Sequence, residues 1–216
     1  QAGDDLWLVC AVSTKGTMAL YDHIHGFSGA TMPKALTASL KRKPTLTELD
    51  GQTYYLEQIN SAGRVYVFGC GHVAQELVPV LSHVGFRCIA MDDREEFAQK
   101  SLFPDAEDVL LVDFNHINDV LTITGDDYAC VMTRGHAYDA VIQAQLLRTP
   151  AAYIGVIGAR KKAGVYQKLR EEYGFGNDDF ARITSPIGLD IQAETPAEIA
   201  ISIAAQLIAV RANQMK

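Results

Sequence analysis

The segment GRVYVFGCGHVAQELV, residues 63–78, restricts what this chain can fold into more than any other. A strand pattern at 64–68 runs directly into Gly69-Cys70-Gly71-His72-Val73-Ala74, and a helical pattern follows without a linker. That junction matches G-x-G-x-x-G/A in the strand-then-helix context the pattern requires. Gly69 permits the tight turn, Gly71 lets the backbone approach a ligand's phosphates, and Ala74 keeps helix and strand close. The free N–H groups of the helix start, at the positive end of its dipole, favour an anionic guest, with Cys70, His72 and Val73 in reach of it. A glycine-rich turn kept only for packing is the competing explanation. Asp92 follows Gly69 by 23 residues, at the end of the second strand pattern, where an acidic side chain commonly accepts ribose hydroxyls. Pro79 removes one backbone bond inside the first helix, so a kink or early break is expected there.

From residue 64 onward the same alternation repeats. Strand patterns at 64–68, 86–91, 108–112, 128–133 and 152–157 are separated by helix patterns at 72–84, 94–101, 116–122, 137–148 and 160–172. Repeated βα units define an α/β class, a Rossmann-like doubly wound and mainly parallel sheet, expected over residues 61–216. The last helix, 196–211, has a defined start: Thr195 caps, Pro196 takes the first position and Glu198 completes a capping box. Residues 1–60 read as a small or incomplete N-terminal α+β domain. Strands are expected at 7–12 and 54–59, with a loop-like stretch over 13–34 and a polar connector over 41–52.

With 26 acidic against 19 basic side chains the formal charge is −7, which argues against nucleic acid, since phosphate-backbone affinity comes from clustered Lys and Arg. Cys10, Cys70, Cys88 and Cys130 show no CxxC spacing, so neither a zinc site nor a disulfide framework is expected, and a reducing, cytoplasmic setting fits. The most apolar run, 199–210, is 12 residues long and reads as a buried helix rather than a membrane span. The chain opens on Gln1 rather than Met, so an upstream segment is expected. No HExxH, GxSxG or GxxxxGK[ST] is present, which removes support from zinc-protease, hydrolase and P-loop readings.

Two further segments follow strands, where open α/β sheets place ligands. TRGHAYD, residues 133–139, offers Arg134 as a phosphate clamp and His136 as an acid, a base or a hydrogen-bond donor, on a turn made by Gly135. Alternatively Asp139 merely favours the dipole of the next helix. IGARKK, residues 157–162, turns at Gly158 and brings Arg160, Lys161 and Lys162 to a helix start. Three cations there oppose the dipole, which points to an anionic compensator. Cys70 is either a small buried side chain or, beside a helix start, a thiolate of lowered pKa.

Taken in order, VFGCGHVAQELVPVLSHVGFRCIAMDDREEFA, TRGHAYD, AYIGVIGARKK and SPIGLDIQAETPAEIAISIAAQLIAVR resemble the Rossmann domain of the XdhC/CoxI family over roughly residues 64–211. These are accessory factors for xanthine dehydrogenase and related molybdenum hydroxylases. The resemblance implies a homodimeric protein that binds the molybdenum cofactor (molybdopterin) and helps it acquire a sulfido ligand with a cofactor-sulfurating protein. It would then deliver the cofactor to the hydroxylase subunit without turning over substrate. Ala159 and Gln192 stand where Ser and Gly are usual, and the family's Gly-rich N-terminal segment with a cysteine ahead of a glutamate is not found in residues 1–60. A truncated or divergent member, its ligand a plain nucleotide, is compatible with those departures. An NAD(P)-dependent oxidoreductase with Asp92 on the ribose and His136 as proton donor stays open, as does a nucleotide-sensing scaffold. The maturation-factor reading is preferred because several motifs carry the resemblance and no complete catalytic set is visible.

Overall fold

The two-residue period of an extended chain at 7–11 turns Trp7, Val9 and Ala11 to one buried face and leaves Leu8 and Cys10 half-buried on the other. The computed structural model describes residues 6–13, 17–41, 43–59, 63–134, 138–158 and 163–214. Close contacts divide the chain into two units, Gln1–Ser61 with Arg211–Lys216, and Ala62–Val210. In the first, β1 (Trp7–Ala11), β2 (Met18–Asp22), β3 (Gly26–Gly29), β4 (Thr45–Leu49) and β5 (Gln52–Gln58) form an antiparallel sheet in the order β3-β2-β1-β5-β4. Val9, Ala19, Tyr54 and Leu56 pack there with Met32 and with Leu36 from a 3-10 turn, Lys34–Ser39. The stretch expected as loop thus contains two strands, and the expected connector contains a third. The signal for the latter is Asp50-Gly51. Both residues have positive φ (52° and 77°), as a two-residue I′ hairpin turn requires, and they pair Leu49 with Gln52.

In the second unit each strand pattern becomes a strand and most helix patterns a helix. The elements are β6 (Arg64–Phe68), α1 (His72–His83), β7 (Arg87–Asp92), β8 (Asp108–Leu111), β9 (Tyr128–Val131), α2 (Asp139–Leu147), β10 (Tyr153–Val156), α3 (Ala163–Tyr173), α4 (Asn177–Phe180), β11 (Ile183–Thr184) and α5 (Pro196–Gln214). The six strands are parallel, in the order β11-β10-β9-β6-β7-β8. Strand order reverses between β6 and β9, which defines a Rossmann-type sheet and its ligand crevice. Side chains of β6 alternate between two cores. Val65 and Val67 pack with Leu77 and Leu81 of α1 and Ile203 and Leu207 of α5, while Tyr66 and Phe68 pack with Ile142 and Leu146 of α2.

Local chemistry accounts for the boundaries that differ from expectation. The helix expected at 94–101 is reduced to a 3-10 turn at Lys100–Leu102, because the Asp92 carboxylate takes both the Arg94 amide and its guanidinium and folds the chain back. The helix expected at 116–122 is a 3-10 turn, Ile117–Asp119. Here the buried Gln145 side chain accepts from Ile117 N at 2.9 Å and donates to Phe114 O at 2.9 Å, satisfying a first-turn amide that a helix over 116–122 would leave bare and a carbonyl that lies before it. Neither α4 nor β11 is visible in the sequence pattern, both being too short to show a period. Pro79 does not break α1, which runs unbroken to His83 and ends where Gly85 takes φ +83° and Phe86 N bonds back to Leu81 O. At α5 the expected capping box is present: Glu198 N donates to Thr195 Oγ1, and the Glu198 carboxylate accepts from Thr195 N and Glu194 N.

Replacing Gln145 by Leu strands a buried N–H and a buried C=O, so Gln145→Leu is expected to lower the unfolding free energy by about 2–4 kcal/mol in urea titrations. A loss under about 0.5 kcal/mol would show that the side chain does not fasten this segment.

Candidate functional site

The two glycines of the turn do different work. Gly69 has φ +105°, and a Cβ there would lie 2.6 Å from the carbonyl oxygen of Met132, so the backbone between the ends of β6 and β9 has no room for a side chain. Its N–H donates to Met91 O at 2.7 Å, fixing the turn on β7 as well. At Gly71, φ is −74° and a Cβ would meet nothing within 4 Å. Packing therefore explains Gly69 and leaves Gly71 unexplained, except as open access to the backbone. Gly71 caps α1 without any side-chain help, and the first helical bond is Gln75 N to Gly71 O at 3.1 Å. Among the described residues, nothing accepts from the amides of Gly71, His72, Val73 and Ala74. No acidic side chain stands in the first turn. These are the conditions under which a helix start binds an anion.

Asp92 is not placed as the sequence suggested, and of the two readings of Cys70 the small buried side chain is the one realised. The Asp92 side chain is 1% exposed. It accepts from Cys70 N at 2.8 Å, from Arg94 N at 3.1 Å, and from Arg94 Nε and Nη2 at 2.8 and 3.1 Å. Four donors on two oxygens leave a carboxylate essentially no free lone pair for a ribose. Its role is beneath the turn, which corrects the expectation that it faces the ligand. Burial pushes its pKa up, but the Arg94 and Cys70 N–H bonds outweigh burial and the net shift is downward. The Cys70 side chain is fully buried in the core under α1, and burial, then the Asp92 charge, push its thiol up to about 12. A lowered-pKa thiolate facing a ligand is thereby replaced by a small protonated core side chain whose contribution to the site is its backbone.

A cavity of about 480 Å³ opens above this turn. Its floor is Gly69, Gly71, His72, Val73 and Ala74; its walls are Met132 and Arg134 beyond β9, Ile157 beyond β10, Pro196 at the start of α5, and Arg94 stacked 3.9 Å over the Phe97 ring. A smaller lobe of about 120 Å³ adjoins it, lined by Asp92, Asp93, Arg94, Phe114, Thr133, Arg134 and Tyr138. Arg94 and Arg134 line both. Arg134 is exposed and has no ion-pair partner among the described residues. Asp139 is buried and accepts from Thr133 Oγ1 at 3.0 Å, a structural position at the start of α2. Gly158 is exposed with φ +115° just past β10, outside the cavity lining. Gly135, His136 and Arg160 lie outside the described residues. Sequence reasoning does not find Arg94, Phe97, Met132, Ile157 or Pro196; strand-end position was the available signal for Met132 and Ile157, and the Asp-x-Arg spacing for Arg94.

A parallel sheet in this order, with a bare helix start and a cavity at its reversal point, defines a Rossmann-type domain with its crevice where the strand order reverses. The XdhC Rossmann-domain family matches residues 65–207, and the chain belongs to it. YqeB of Escherichia coli K12 is 29% identical over 151 residues, which cover 69% of this chain and 28% of that protein. A probable xanthine dehydrogenase subunit of Bacillus subtilis 168 is 28% identical over 157 residues, 73% of this chain and 46% of that one. The crystal structure of a protein described as a xanthine dehydrogenase from Bacillus halodurans superposes with a TM-score of 0.75 at 27% identity, covering 98% of this chain and 61% of that one. The chain thus spans less than two thirds of the length of each of these relatives. No helix of the described residues is long and apolar enough to cross a membrane.

Gly69→Ala is expected to destabilise the fold by about 2–3 kcal/mol through steric conflict and positive φ, whereas Gly71→Ala is expected to leave the thermal midpoint nearly unchanged. Equal midpoints for the two variants would contradict the division of roles. The Asp92 carboxyl has a folded pKa below its ordinary 3.8, so its stabilising contribution is full above about pH 4 and is lost as pH falls through the folded value. The stability gap between the parent and Asp92→Asn should accordingly be largest near pH 7 and close below about pH 4. A gap independent of pH in denaturant titrations would rule this out.

Proposed function

We propose that this domain binds the molybdenum cofactor, or its nucleotide-extended form, by the phosphate end, and supports its delivery to a molybdenum hydroxylase of the xanthine dehydrogenase type. The observation that carries this is the start of α1: four amides without acceptors among the described residues, a Gly71 whose missing side chain packing does not require, and a cavity above them. The residues fit such a group. A phosphate takes the amides of Gly71 to Ala74, Arg134 supplies a countercharge, and about 480 Å³ lies within the usual size of ligand pockets. Phe97, Met132 and Ile157 offer apolar surface to a flat ring system. Among the described residues no three His, Cys, Asp or Glu side chains converge on a metal position, so this reading puts the protein's grip on the organic part of the cofactor. The chemistry the cofactor supplies belongs to the client enzyme once it is loaded. The membership in the XdhC family and the names of the Bacillus relatives support the choice of client. A hydroxylase subunit, a cofactor-sulfurating protein and a second copy of the chain are the partners this reading assigns.

One further reading has an observation in its favour. The doubly wound strand order and the second lobe beside β7 would suit a dinucleotide, and NAD(P) would use the same amides. Mass spectrometry and metal analysis of ligand released from gently purified protein separate the two. Molybdopterin with molybdenum is expected; a nicotinamide dinucleotide alone would support the second reading, and failure to bind either class would end both. Arg134→Glu is expected to weaken molybdopterin binding by about tenfold or more without changing the circular dichroism spectrum.

A further inference from the structure

Helix α5 carries its polarity the wrong way round for a surface helix. Such a helix turns apolar residues inward and charged ones to solvent. Over residues 199–210 α5 has no charged side chain, and its two polar ones are spent inside. Ser202 is buried and its hydroxyl donates to Leu189 O at 2.6 Å. Gln206 accepts from Gly188 N at 2.7 Å and from the Tyr153 hydroxyl. Ile203 and Leu207 fill the core beside them. What remains outside is apolar: Ile201 is 52% exposed and Ile208 39%, with Ala197, Ala209 and Ala212 exposed and Ala205 half-buried. A helix apolar on every side belongs in a buried place, and among the described residues only one side of this one is covered.

The exposed residues also have an order. Ile201, Ala205, Ile208 and Ala212 recur at intervals of four, three and four, the spacing of a seam between two helices, and large alternates with small along it. We propose that this face is the surface on which two copies of the chain associate, the two α5 helices lying antiparallel about a twofold axis between Gln206 and Leu207. That axis sets Ile201 against the partner's Ala212 and Ala205 against the partner's Ile208, so each large side chain meets a small one. A parallel pair in register would set Ile against Ile and leave Ala facing Ala across a gap; the antiparallel pair fills both. Charge selects the same partner. The chain has a formal charge of −7, so a second copy is repelled except where a face is free of charge, and 199–210 is such a stretch. Two helices about 28 Å long packed side by side, with Leu189 exposed next to them and its N–H on Ser202 O, bury on the order of 1,000 Å² in total, the low end for a specific interface, so a dissociation constant in the micromolar range is expected. The proposal rests on the second copy that the cofactor reading includes, and gives it a surface; it needs no ligand.

Sedimentation velocity of the full chain from about 1 to about 500 µM tests this. A reversible monomer–dimer equilibrium is expected, and Ile208→Lys should raise its dissociation constant by about tenfold or more with an unchanged circular dichroism spectrum, because a charge enters both halves of the seam at once. Cysteine pairs read the register and decide the matter where the lysine variant fails to fold. An equimolar mixture of Ile201→Cys and Ala212→Cys chains should be joined by a short bis-maleimide linker, while either variant alone should not, because its two copies hold that position about 16 Å apart along the axis. The parent chain treated alike accounts for its native cysteines, of which Cys70, Cys88 and Cys130 are buried and Cys10 half-buried. A parent that stays monomeric at the highest concentration, an unchanged dissociation constant in a folded Ile208→Lys, failure of the mixture to join, or joining of Ile201→Cys with itself as readily as with Ala212→Cys would each overturn the interface. None of the substituted residues lines the cavity, so that failure leaves the cofactor reading standing, and loss of ligand binding leaves the dimer standing.

Discussion

The crevice depends on a single buried carboxylate. Asp92 ends one strand, holds the amide of Cys70 in the turn after another, and fixes Arg94 on the segment that leaves. Without it, the turn that Gly69 presses against Met132 would have an unpaired N–H at its apex, and Arg94 would lose the anchor that lays it across Phe97. The cost of burying this charge is offset because each lone pair has a donor; a buried carboxylate with fewer partners would be neutralised instead. One residue therefore shapes both the floor and one wall of the cavity.

This arrangement also divides labour among the charged groups. Asp92 serves the scaffold and Asp93, one position later, stays at the surface of the smaller lobe. Arg94 is half structural, bonded to Asp92 yet exposed at its edge, and Arg134 has no ion-pair partner among the described residues. The site is thus assembled from strand ends and the residues just past them, where a saturated, buried carboxylate is followed by a partly exposed one.

The parallel half of the fold was legible because its signals are long and repeated. Val65 to Phe68 run straight into a Gly-x-Gly turn, and the box at Thr195, Pro196 and Glu198 is satisfied in three dimensions as its spacing demands. What escaped notice lacks periodicity. β2 and β3 carry glycines and exposed apolar residues around a turn with two histidines, a stretch that reads as loop, and only the pairing of β2 with β1 and of β3 with β2 makes them strands. Tertiary partners overrode local helix patterns at 94–101 and 116–122, through Asp92 and Gln145 respectively. In the site, residue types marked the turn correctly, but the direction in which Asp92 points depends on Arg94 lying two residues on, and no spacing rule announces which of two adjacent carboxylates is buried.

Two helices begin at the rim of the cavity, and they differ in kind. At α5 the first position is a proline with no N–H, and the Glu198 carboxylate and Thr195 hydroxyl use up the amides around it. At α1 a glycine stands at the cap and the first turn carries no acidic side chain. At one rim the amides are taken up and at the other they stand bare, so the hollow between them is electrically asymmetric from one side to the other.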